Sequence, residues 1–161
     1  MGAYFRCYKN GRVVQKTLIM KKGGSPYPNF DDFVGKIKLL NKYLRNFVVG
    51  TKIYEKNNRY HLEQNFILGK DLDVYLKQPI SKQLKSEIKK LSVCLDIMYK
   101  KTGILPDLNK GNIFVTKNNS IKLVDVWPLF FYKRVTQRDL SKKSYCENLE
   151  KLEILKILTN Y

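Results

Sequence analysis

The sequence predicts a single α+β domain in which antiparallel hairpins are interleaved with helices. Short β-prone runs come in pairs around turn-forming residues, and three longer stretches repeat their apolar residues at helical spacing. The 161 residues suffice for one hydrophobic core but not for two separate ones, and 43% apolar with 12% aromatic residues can fill it.

Ala3 to Tyr8 and Arg12 to Met20 are apolar-rich and β-prone, and Lys9-Asn10-Gly11 between them carries the Asn-Gly pair that favours a tight turn. After the Gly23-Gly24-Ser25-Pro26 break, Phe30, Phe33, Val34, Ile37, Leu40, Leu44 and Phe47 recur at helical spacing. Asp31 and Asp32 stand in the first turn of that helix, where its dipole favours carboxylates. A second hairpin joins Val48–Tyr54 to Tyr60–Ile67 across Lys56-Asn57-Asn58-Arg59, and Gly69 closes this strand region.

Asp71 to Leu76 predicts a short helix. From Ser81 onward, Leu84, Ile88, Leu91, Leu95 and Met98 line one side of a long helix ended by Thr102-Gly103. A loop then carries Asp107 to Asn112. Ile113–Val115 and Ile121–Val124 make a third hairpin across Lys117-Asn118-Asn119-Ser120, with Asp125 just beyond it. Leu149, Leu152, Leu155 and Leu158, spaced by threes, predict a closing helix from Ser144 to Leu158.

Lys and Arg outnumber Asp and Glu by 31 to 14, so the chain carries +17 at neutral pH and should seek polyanions or acidic protein surfaces. A nucleic-acid partner is not expected, because the lysines are scattered and no zinc-finger spacing, RNP-like aromatic motif or basic-region heptad occurs. Most of the charge reads as solvated surface. Cys7, Cys94 and Cys146 form no CxxC pair and His61 is the only histidine, so neither a disulfide framework nor structural zinc is predicted. His61 reads as a packed or surface residue and Trp127 as a core plug. The absence of a long apolar run predicts no Sec-type signal and no membrane span, which suits a cytoplasmic fold acting as a monomer.

The chemistry concentrates in Asp107-Leu-Asn-Lys-Gly-Asn112-Ile-Phe-Val, a short hairpin, and then Leu123-Val-Asp125-Val-Trp127. In phosphoryl transfer one aspartate orients the acceptor hydroxyl and takes its proton, an asparagine a turn later binds magnesium, and a second aspartate holds the metal bridging the phosphates. Asp107, Asn112 and Asp125 fit those roles in that order. A hairpin between Asn112 and Asp125 brings its ends together, so both metal ligands can face one cleft, and magnesium needs few protein ligands.

These residues resemble the HRDLxxxN and DFG segments of the protein-kinase superfamily, and the order of elements is similar throughout. The Asp-Leu-Asn-x-Gly-Asn wording, with a short chain after Asp125, resembles the NleH/OspG group of minimal effector kinases injected by bacterial pathogens. The resemblance implies a bilobal kinase-like fold with a truncated N-lobe sheet (1–68) and a reduced helical C-lobe (69–161). It implies ATP and Mg2+ as cofactors. Arg12-Val-Val-Gln-Lys16 takes the place of V-A-I-K, which gives Lys16 the α and β phosphates. Gln64, Asn65, Phe66 and Ile67 take the place of the hinge, whose main-chain groups would meet the adenine.

Several kinase features depart from the pattern. Only Gly2 stands for the glycine loop, the helix from Phe30 to Phe47 has no glutamate near Lys36, Leu105-Pro106 replaces His-Arg, and Val126-Trp127 replaces Phe-Gly. No Ala-Pro-Glu segment follows. Regulation by activation-loop phosphorylation and the usual large substrate-binding C-lobe are therefore not expected.

The function implied is transfer of the γ-phosphoryl group of MgATP to Ser/Thr of a protein substrate, by an effector secreted into a host cell through a specialised system. An acidic or ubiquitin-pathway host protein is the implied activator. The alternatives are a pseudokinase acting as a protein-binding module and a small-molecule kinase of the sugar or aminoglycoside type, which also carries D-L-x-x-G-N.

Overall fold

The computed structural model describes residues 5–18, 30–57, 59–77, 79–109, 111–124, 128–130 and 139–159. The first part of the chain is built of β1 (Phe5–Asn10), β2 (Val13–Leu18), α1 (Phe30–Leu44), β3 (Thr51–Lys56) and β4 (Arg59–Asn65). The second part is built of β5 (Gly69–Asp71), α2 (Leu72–Tyr75), α3 (Lys82–Thr102), β6 (Ile104–Pro106), β7 (Ile113–Thr116), β8 (Ile121–Leu123), β9 (Pro128–Phe130) and α4 (Asp139–Ile157).

Strands β1 to β4 form one antiparallel sheet in the order β1-β2-β4-β3. The first turn differs from expectation: Lys9 and Asn10 belong to β1, and the loop is the next two residues, since Asn10 pairs with Val13. Gly11 takes the first loop position with φ 57°, where a side chain would be strained. The second hairpin turns where predicted, with Lys56 opposite Arg59 and Asn57 at φ 52°.

Helix α1 stops at Leu44 rather than Phe47, because the next residues are drawn into contacts with β8. Leu123 N donates to the Phe47 carbonyl at 2.8 Å, and Val48 bridges to Leu123. Phe47 and Val48 are buried there instead of extending the helix. Gly69, expected to end a strand region, opens β5, which pairs with β7 in a three-stranded sheet of order β5-β7-β8. Strand β6, paired with β9, was not foreseen, and α4 begins at Asp139 instead of Ser144.

Helix α3 agrees closely with its sequence signals. The Ser81 side chain accepts from Leu84 N, and Gly103 closes the C-terminus at φ 66°. Its Leu84, Ile88, Leu91, Leu95 and Met98 join Ile37, Leu40 and Leu44 of α1, Leu152 and Leu155 of α4, and Ile113, Val115, Ile121 and Leu123 of β7–β8 in one buried cluster. Asp96 of α3 accepts from Lys100 at 2.6 Å and Lys156 of α4 at 2.7 Å. The Lys100 hydrogen bond, then that of Lys156, holds the Asp96 carboxyl below its ordinary value. Lys151 of α4 pairs with Asp73 of α2.

Among the described residues no helix is long and apolar enough to cross a membrane. Cys94 is a half-buried free thiol. Gly2, Trp127 and the side chains of Cys7, Asp31, Asp32, Lys36 and Cys146 lie outside what is described.

Candidate active site

Alternation along a strand sends every second side chain to the same face. On β2 this places Val14 and Lys16 on one face, opposite Gln64 and Leu62 of β4. The Lys16 ammonium donates to the Val124 carbonyl at 2.9 Å, across 108 residues of sequence. Val124 N in turn donates to the Asn112 carbonyl at 3.0 Å. The Asn112 side-chain Nδ2 donates to the Asp107 carbonyl at 3.2 Å. Lys16, Val124, Asn112 and Asp107 thus form one continuous run of contacts.

The loop between Asp107 and Asn112 is tightly turned. Asp107 Oδ1 accepts from Asn109 N at 3.1 Å, and Asn112 N donates to the Asn109 carbonyl at 3.1 Å. Gly111 has φ 90°, and its N–H donates to Asp71 Oδ2 at the end of β5. The other Asp71 oxygen accepts from Asp73 N at 2.8 Å and caps α2.

Beside Lys16 lies a cavity of about 200 Å³ with a largely apolar wall. Its walls are Val14 and Lys16 of β2, Val49, the segment Gln64 to Ile67, Phe114 of β7, and Val124. Gln64 is only 3% exposed and donates to Thr51 Oγ1 at 3.0 Å, which itself donates to the Val49 carbonyl at 2.7 Å. Phe66 N donates to the Arg12 carbonyl at 2.6 Å, and Lys9 Nζ sits 3.9 Å from the Phe66 ring centroid. These contacts tie the Gln64–Ile67 segment to the first hairpin.

His61 is packed and not placed as a ligand: its ring stacks on Tyr54 at 5.1 Å, and Nδ1 hydrogen-bonds Thr17 Oγ1 at 3.1 Å. The Tyr54 hydroxyl donates to Glu63 at 3.0 Å, which raises its pKa above the usual phenol value. Among the described residues no group of three or more His, Cys, Asp or Glu side chains converges.

Lys16 and Gln64 to Ile67, far apart in sequence, meet at one cavity, and Asp107 and Asn112 connect to it through Val124. Asp125 lies outside the described residues. The sequence signals missed Val49, Phe114, Val124 and Asp71. Phe114 and Val124 were legible as hairpin residues, but nothing local marks which face they present.

The fold is that of a small protein-kinase-like α+β domain. No protein-family model matches the chain, and no curated protein does. Among solved structures it is similar to the Cydia pomonella granulovirus kinase PK-1, with a TM-score of 0.51 and 15% identity. The match covers 73% of this chain and 43% of that one, so the chain spans less than half of that kinase's length. At this identity the likeness is one of fold.

Proposed function

We propose that this protein is a kinase that transfers the γ-phosphoryl group of MgATP to a serine or threonine of a protein substrate. One observation carries it: the residues assigned to phosphate, metal and base are joined by the Lys16–Val124–Asn112–Asp107 contacts at the edge of a largely apolar cavity. The cavity suits a purine. Phe66 N–H is taken by the Arg12 carbonyl, so the base would meet other main-chain groups of the Gln64–Ile67 segment. Lys16 would hold the α and β phosphates.

The donor set also suits magnesium. Asn112 commits its amide nitrogen to the Asp107 carbonyl, which leaves the carboxamide oxygen for a hard cation. Asp125 would be the second ligand, with substrate oxygens supplying further ones. Asp107 would orient the acceptor hydroxyl and take its proton. Residues 1–68 act as the nucleotide-covering lobe and 69–161 as a reduced catalytic lobe.

The resemblance to the NleH/OspG group extends this to an effector secreted into a host cell, activated by an acidic or ubiquitin-pathway protein. Magnesium-dependent ATP binding and autophosphorylation test the core of the proposal. Asp107→Ala and Asp125→Ala should each lower phosphate incorporation by at least about a hundredfold, the contribution of a general base or metal ligand. No incorporation by the wild type, with generic substrates or candidate partners, would overturn the kinase reading. ATP binding without turnover would mark a pseudokinase.

A further inference from the structure

Asp71 stands outside the residues that the motifs select, yet it touches the loop that carries them. Its place is set by the backbone. Strand β5 runs antiparallel to β7, with Gly69 opposite Thr116 and Asp71 opposite Phe114. That pairing requires glycine at 69, where an added Cβ would lie 2.6 Å from the Val115 carbonyl oxygen.

Drawn close to β7 in this way, Asp71 uses both carboxylate oxygens. Oδ1 accepts from Asp73 N and starts α2, while Oδ2 accepts from Gly111 N, 40 residues further on. Gly111 is at φ 90°, which L side chains rarely adopt, and it immediately precedes Asn112. Glycine gives the loop the freedom to reach this turn but nothing to keep it there. A backbone N–H held by a carboxylate makes a bond roughly twice as strong as a neutral pair.

We propose that Asp71 is a positioning residue whose carboxylate holds the Gly111 N–H and so fixes the loop carrying Asp107 and Asn112. The effect on turnover rests on the kinase function proposed above; the effect on the loop does not. Asp71 does not line the cavity, so its influence on the nucleotide should pass through the geometry of the loop.

Two variants of the full chain separate the roles. Asn is as good a helix cap as Asp, so Asp71→Asn keeps an acceptor for Asp73 N–H while bringing a donor amide towards Gly111. Asp71→Ala loses both bonds. Amide hydrogen exchange on the nucleotide-free protein should show Gly111 exchanging at least about tenfold faster in both variants, with Leu91 and Leu95 of α3 unchanged. In steady-state phosphorylation, kcat should fall at least about tenfold, and by more than KM for MgATP rises.

Unchanged Gly111 exchange in Asp71→Asn would overturn the proposal, as would a loss of kcat accompanied by equal loss of protection in α3. If the wild type itself transfers no phosphate, the kinase function fails, and Gly111 exchange still decides the role of Asp71.

Discussion

The four-stranded sheet and the helical part around α3 are held together by different means. Among the described side chains of β2, β3 and β4, only Leu62 and Gln64 are buried. Helix α3 buries Leu84, Ile88, Leu91, Leu95 and Met98 almost completely. The sheet depends on its ladders and on ties to the rest of the molecule such as Lys16 Nζ to the Val124 carbonyl at 2.9 Å. Leu62, with Ile53 opposite it, joins the core, while another part of the sheet forms one wall of the cavity. Val14, Lys16 and Gln64 line the cavity, and the fully buried side chains concentrate around α3.

The largest test of this contrast is truncation on each side. Leu95→Ala should cost about 2–5 kcal/mol in chemical denaturation, because it opens a cavity at a fully buried position. Ile53→Ala, on the half-buried β3, should cost no more than about 1.5 kcal/mol. Equal losses would remove the distinction. Next in size is Gly69→Ala, whose methyl group would meet the Val115 carbonyl and force β5 away from β7. A loss of about 1–3 kcal/mol is expected, with faster amide exchange in β5 and β7 and none in β1 to β4.

The smallest effect concerns the seam between α3 and α4. A carboxyl with a depressed folded pKa stabilises above its unfolded value of about 3.9, and that contribution is lost as pH falls through the folded value. Asp96→Asn should therefore lower stability at pH 7 by up to about 1 kcal/mol. The gap to wild type should close as the pH drops below the carboxylate range. A gap that persists in acid would mean that Asp96 acts through packing and not through its charge.

Much of the candidate site was legible because its signals are compact. Asp107, Leu108, Gly111 and Asn112 lie within one loop, and the hairpin after them announces itself by alternation and an Asn-rich turn. Lys16 stands out from many lysines through the resemblance of Arg12-Val-Val-Gln-Lys16 to V-A-I-K, and its contact with Val124 is not deducible from that resemblance. The length of α1 was misjudged because Phe47 continues the helical period, while the pairing of Val48 with Leu123 wins the competition for that segment. Strands β5, β6 and β9 have three residues each, too few to show a period.

The sequence by itself determined what depends on neighbours along the chain. Ser81 and Gly103 bound α3, Asp71 caps α2, Asn57 and Gly11 turn the hairpins, and the Asp107–Asn112 spacing sets the loop. Caps, turns and periodicity act over a few residues and leave their mark in composition. Only the tertiary structure decided that β5 lies against β7, that Lys16 reaches Val124, and that Asp71 holds Gly111. Those contacts join groups 40 to 108 residues apart. Their partners are chiefly backbone carbonyls and amides, which every residue carries, so no side-chain pattern announces them.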